Sequence, residues 1–210
     1  VLRNTKGIFA LTQNLFVGEG GRFGWSPAGL NDEEVYCNFK EYNFNTKKTE
    51  LTSSLVMLNY TGKTPGLIAG TFEFKSPQRK DSVASSYPRF TSYEGNLKII
   101  GLGPENVVYQ GGFSLQGATI KSTNVAGDLG SITILDSLES KKFSARSKEF
   151  VFKDSLISSD RATITIFQEN DSIHHRSLQL RYDYAKERLV LLSEKGAMRN
   201  TPFSATFFGM

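Results

Sequence analysis

From residue 131 to residue 195 the chain contains neither glycine nor proline, yet apolar residues keep returning at every second position. Ile132-Thr133-Ile134, Ala162-Thr-Ile-Thr-Ile166 and Leu178-Gln-Leu-Arg-Tyr182 alternate cleanly, and Phe150, Phe152 and residues 188–192 follow suit. Successive side chains of a strand point to opposite faces, so this period describes strands that each bury one side. Without glycine or proline, the tract has to turn on Asp, Asn, Ser and Lys. Thr71-Phe-Glu-Phe74 alternates in the same way upstream, where punctuation is dense: five of six prolines lie at or before Pro104, and all but two of 19 glycines at or before Gly130. The expected organisation is a single all-β module over 1–210, with a possible subdivision into 1–104 and 105–210. The first residue is Val1 rather than Met, which is read as a segment of a longer chain.

Two segments also admit a helix. Asn31-Asp-Glu-Glu34 has the form of a capping box, and Val35, Phe39 and Tyr42 follow at helical spacing. The same stretch alternates as Val35, Cys37, Phe39, and its aromatic content favours a strand. Residues 185–195, followed by Gly196, read as the arm of a hairpin in preference to a capped helix.

Two recurrences stand out. Asp-Ser occurs at Asp81, Asp136, Asp154 and Asp171, the last three 18 and 17 residues apart. Asp-Ser opens turns, so this spacing fits one strand pair or one solenoid rung per unit. Phe44-Asn45-Thr-Lys-Lys48-Thr-Glu-Leu51 matches Tyr182-Asp183-Tyr-Ala-Lys186-Glu-Arg-Leu189: aromatic, Asn or Asp, two residues, Lys, two residues, Leu. The pattern describes a strand, an Asx turn with a charged tip, and a returning strand.

That unit resembles the OstA-like repeats of the lipopolysaccharide-transport bridge proteins. Residues 143–192 carry most of the likeness and residues 39–60 a second copy, but it does not extend over 18–30 or 65–104. Phe143-Ser-Ala-Arg-Ser and Asn170-Asp-Ser-Ile173 also resemble segments of long all-β envelope proteins of Bacteroidota. The resemblance implies stacked strands, a place in the bacterial cell envelope (periplasm or cell surface), and a concave face able to hold the acyl chains of an amphipathic lipid. Phe150, Phe152, Ile164, Ile166, Leu178 and Leu180 would line that trough.

Side-chain chemistry narrows the function classes. His174 and His175 are the only histidines, and as neighbours on a strand they face opposite ways, so they are not expected to share a metal. Cys37 is the single cysteine; it excludes an internal disulfide and reads as a buried structural residue. Gly18-Glu-Gly-Gly21 and Gly111-Gly112 lack the lysine and the βαβ setting of a phosphate loop, and instead suggest bulges or close backbone approach. The formal charge of +4 is spread along the chain, so nucleic acid is not an expected partner. No run of apolar residues is long enough to cross a bilayer as a helix. Trp25, beside Phe23, would stack on a sugar if exposed, as would Tyr93 near Tyr87 and Phe90; otherwise these rings cap a core or anchor a loop.

The expected fold is therefore all-β, either elongated stacked antiparallel or solenoid-like strands or, alternatively, a β-sandwich. The expected function is a non-enzymatic envelope module, structural or lipid-bridging, without cofactor, catalytic residue or metal. A cell-surface domain binding glycan or protein is the alternative, and an all-β carbohydrate-active enzyme the third. Candidate ligand-binding residues are Trp25, Tyr93, Phe150 and Phe152. Candidate partners are an amphipathic lipid or glycan, other segments of a longer chain, and envelope proteins.

Overall fold

The computed structural model describes residues 2–76, 86–124, 127–168 and 171–193. In chain order its strands are β1 (Leu2–Arg3), β2 (Lys6–Ala10), β3 (Leu15–Glu19), β4 (Arg22–Gly24), β5 (Val35–Phe39), β6 (Glu41–Asn45), β7 (Glu50–Tyr60), β8 (Ile68–Lys75) and β9 (Arg89–Ser92). They continue as β10 (Leu97–Ile99), β11 (Val107–Gln116), β12 (Thr119–Thr123), β13 (Gly130–Leu135), β14 (Lys141–Ser147), β15 (Val151–Lys153), β16 (Leu156–Gln168), β17 (Asp171–Asp183) and β18 (Arg188–Ser193). Fifteen strands belong to one antiparallel sheet, and β2, β3 and β6 form a second. The fold is all-β. Among the described residues no helix is long and apolar enough to cross a membrane.

The segment open to two readings is a turn followed by a strand. Asn31 Oδ1 accepts the Glu33 amide at 3.0 Å, and β5 then buries Val35, Cys37 and Phe39 against β7. Burial of one face of a ladder outweighs a capping box that has no helix to cap. Residues 188–193 form β18, the returning arm of a hairpin with β17. Of the Asp-Ser pairs, Asp136 and Asp154 lie in turns, whereas Asp171 is the first residue of β17 and pairs with Gln168 at the end of the ladder, and Asp81 lies outside the described residues.

The chain divides into two compact units. One holds the described residues up to Glu94 together with Phe113–Ile120; the other holds Gly95–Gly112 and those from Lys121 onward. A single cut near residue 104 does not separate them, because β11 and β12 each run from one unit into the other. Proline and glycine density marked turns, not the division of the core.

In the first unit Phe23, Phe39 and Trp25 gather on Phe72: ring centroids lie 4.9 Å (Phe23), 5.0 Å (Phe39) and 5.9 Å (Trp25) from it. Tilted and edge-on contacts of this kind add to the burial of each ring. Gly70 is required by packing, since a Cβ there would collide with the Phe90 ring and the Thr91 carbonyl. In the second unit Tyr109 and Phe152 meet edge-on at 5.1 Å, over a core of Ile132, Ala145, Ile157, Ile164, Leu178 and Leu180.

The ladder β4–β5–β7–β8–β9 and the ladder β13–β14–β16–β17–β18 have corresponding registers. Phe23↔Cys37↔Leu58 in the first matches Ile132↔Ala145↔Ile164 in the second. Phe39↔Val56 matches Ser147↔Ala162. Both long strands carry one extra residue at the same place: Ser53 to Val56 spans Phe72 to Gly70, and Ser159 to Ala162 spans Leu180 to Leu178. A bulge of this kind bends its strand and raises the local twist. The next pairs also agree, Phe72↔Phe90 with Leu180↔Leu191 and Gly70↔Ser92 with Leu178↔Ser193.

Candidate functional site

The second unit presents a recess on the outer face of β14, β16 and β17. The strands alternate, so Ile132, Ala145 and Ile164 point inward and their neighbours point out. Arg146 lies opposite Ser131 and Thr163 across the ladder, and the Thr163 hydroxyl donates to the Arg176 carbonyl at 3.2 Å. One row further, Thr133, Ser144, Thr165 and His174 stand side by side, with Thr165 Oγ1 3.2 Å from His174 Nδ1.

The bulge in β16 shapes the recess. Ser147 and Ser159 are buried, and their hydroxyl oxygens lie 2.8 Å apart. The Ser147 hydroxyl is 2.7 Å from the Arg161 carbonyl, and the Arg161 amide donates to Ser159 Oγ at 3.3 Å. This satisfied polar pair keeps the two residues of the bulge, Asp160 and Arg161, turned outward. A cleft of about 630 Å³ opens beside them. Its lining carries Arg146, Lys148, Arg161 and Arg176 against two carboxylates, Glu149 and Asp160. Glu149 accepts from Lys121 Nζ at 3.3 Å, and among the described residues Arg146, Lys148 and Arg176 make no ion pair. Guanidinium and ammonium donors around an open cleft are equipped to hold an anion.

The four residues singled out from sequence fall elsewhere. Trp25 is completely buried, its Nε1 donating to the Gly117 carbonyl at 3.0 Å, so it offers no face to a sugar. Phe150 and Phe152 are core residues around Tyr109, and Ile164, Leu178 and Leu180 are buried with them. A trough lined by these side chains is therefore filled by their own packing. Tyr93 alone keeps a half-exposed ring, with its hydroxyl donating to the Ser54 carbonyl beside exposed Leu55. His174 is exposed and His175 half-buried, the latter's Nδ1 accepting the Ser177 amide at 3.2 Å. Cys37 is buried, and burial pushes its thiol well above the usual range, away from thiolate chemistry. Among the described residues no group of three or more His, Cys, Asp or Glu is placed to hold a metal.

The basic cleft went unread in the sequence, although a signal existed. Arg146, Arg161 and Arg176 are evenly spaced at 15 residues, and each lies on a different strand of the β14–β16–β17 ladder. Comparison with known proteins finds no matching family model, no matching curated protein and no matching solved structure.

Proposed function

We propose that this chain is a non-enzymatic β module of the bacterial cell envelope, structural or bridging in role, and built on two copies of one strand unit. The observation that carries the reading is the common register and common bulge of β4–β9 and β13–β18. The two segments that resemble the bridge-protein repeats, 39–60 and 143–192, fall within those two strand sets. Duplicated antiparallel units extend a scaffold while each keeps its own core. Because Phe150, Phe152 and their neighbours are packed, an amphipathic lipid would be met at its polar end and not by its acyl chains in the strand interior.

Native mass spectrometry of the purified chain, with organic extraction of anything bound, tests this reading. Retained acylated lipid at one per chain supports bridging; a ligand-free chain removes the carrier version and leaves the structural one. Recovery of the parent protein in the cytosolic fraction of cells overturns the envelope assignment. A second reading, a surface glycan binder, rests on the half-exposed Tyr93 ring held over the β7 bulge. It requires Tyr93→Ala to abolish binding on a glycan array.

A further inference from the structure

We infer that the cleft of the second unit is a binding site for a phosphate-bearing ligand, gripped chiefly by Arg146 and Arg176 with Lys148 at its edge. This rests on the cleft itself and stands whether or not the envelope reading does.

The comparison between the two strand sets removes the bland explanation that these cations serve the fold. Where β14 has Arg146, the corresponding position of β5 is Asn38. The bulge residue Arg161 corresponds to Leu55, and Thr163 to Met57. Met57 faces Ala69 on β8, whereas Thr163 lies beside Arg176 on β17. The first bulged ladder is thus built without Arg146 or Arg161, and Arg176 lies in a second irregularity of the β16–β17 pairing, between Ala162↔Leu178 and Ile164↔His175, that β7–β8 lacks. The first unit does carry a cation on this face, but it is neutralised: Arg22 bonds Glu33 at 3.0 Å and lies over the Tyr36 ring at 3.6 Å. Arg146 and Arg176 have no such carboxylate among the described residues. Four cations line the cleft against two carboxylates, and an excess of like charge opposes the compact state, so a scaffold that keeps it points to an anion that compensates it.

Geometry selects the class of anion. Arg146 and Arg176 sit on strands two apart, about 10 Å between backbones at the usual strand spacing. Side chains of that reach converge on a group lying between them. A carboxylate offers one planar pair of oxygens, whose paired geometry a single guanidinium already matches. A phosphate, as ester or diester, directs its charged non-bridging oxygens tetrahedrally out of any one plane, so that guanidinia approaching from two strands and the Lys148 ammonium can share them.

The test uses inorganic pyrophosphate by calorimetry, and flotation with phosphatidylglycerol or phosphatidylcholine vesicles. The native chain is expected to bind pyrophosphate, or to float with phosphatidylglycerol but not phosphatidylcholine vesicles. The first result assigns the site to a soluble phosphorylated ligand, the second to a lipid headgroup. The double variant Arg146→Asn/Arg176→Ala is expected to weaken binding about tenfold or more. Lys47→Gln/Lys48→Gln, at a tip of the first unit, is expected to leave binding unchanged. In the native chain, the Arg146 and Arg176 Nε–H resonances should shift on titration with pyrophosphate or with short-chain phosphatidylglycerol, a readout independent of whether the variant folds. No binding of either probe, equal binding by the double variant, or unshifted arginine resonances would overturn the assignment. Loss of bound lipid in mass spectrometry would bear on the envelope reading alone.

Discussion

The strand sets β4–β9 and β13–β18 share their register through the bulge, beyond which β16–β17 has a second irregularity, between Ala162 and Ile164, that β7–β8 lacks, and they differ in what they place on it. Leu51, Ser53, Val56 and Leu58 point inward from β7, just as Ile157, Ser159, Ala162 and Ile164 do from β16. Core volume is redistributed between them. The first pairs a glycine with an aromatic, Gly70 beneath Phe90, where the second uses Leu178 and Leu191. The outer faces diverge further: Asn38, Leu55 and Met57 against Arg146, Arg161 and Thr163. The lesson is that inward positions and the bulge define the scaffold, while the outward positions are free to be specialised.

The tips differ as well. In the second unit β15 stays paired with β16, through Val151↔Ser158 and Phe152↔Ile157. In the first, β6 leaves that position and pairs with β3 in the separate three-stranded sheet. Four residues separate β6 from β7, but only Asp154 and Ser155 lie between β15 and β16. A two-residue connection with its first residue at positive φ holds a hairpin together, and a longer one lets the strands part.

The comparison breaks most visibly if corresponding core positions do not behave alike. Phe72→Ala should cost about 3–5 kcal/mol and Leu180→Ala about 2–5 kcal/mol in urea unfolding, since each leaves a cavity at the same register position. A near-neutral result at either would show that the two cores are not equivalent. Gly70→Ala should destabilise by about 1–3 kcal/mol, because its methyl meets the Phe90 ring and a carbonyl. Adding Phe90→Leu, which mimics the second unit, should recover in thermal melts only the part of that loss owed to the ring, because the Thr91 carbonyl still meets the methyl. The buried serines sharpen the contrast. Ser159→Ala strips the Arg161 amide and Ser147 of a partner and should cost about 1–3 kcal/mol. Ser53 makes no side-chain hydrogen bond among the described residues, so Ser53→Ala should fall within about 0.5 kcal/mol of the native chain.

The smallest effect concerns the connections that lead into β5 and β14. Asn31 closes the first without a titratable group, whereas Asp136 closes the second by accepting the Ser140 and Leu138 amides at 2.9 and 2.8 Å. Those amides hold the Asp136 carboxyl below its usual range. The folded form therefore favours the carboxylate. Its contribution is present above the usual carboxylate range and is lost as pH falls through the lowered value. A carbon-detected titration should find the Asp136 midpoint below that of exposed aspartates, and Asp136→Asn should remove that part of the acid sensitivity.

Much of the scaffold was readable from local pattern. Period two located β8, β13, β16, β17 and β18, and Asx chemistry located the turns at Asn45 and Asp183, whose side chains accept the Lys47 and Lys186 amides at 2.9 and 3.2 Å. The likeness between those two turns misled in one respect. One joins β6 to β7, which do not pair, and the other joins β17 to β18, which do. The corresponding stretches are instead Lys40-Glu-Tyr-Asn-Phe44 and Lys148-Glu-Phe-Val-Phe152, a match in plain view that leads into β6 in one unit and into β15 in the other.

Sequence alone determined what depends on neighbours along the chain: strand period, turn residues, and the absence of disulfide chemistry from a chain with one cysteine. The tertiary structure decided which alternating faces met. Burial is a property of a pair of surfaces, and no strand carries a record of its partner. Trp25, Phe150 and Phe152 became core, because large apolar side chains leave water wherever a partner face exists. Arg146 and Arg176, 30 residues apart in sequence, became neighbours across β16 only when the meander folded.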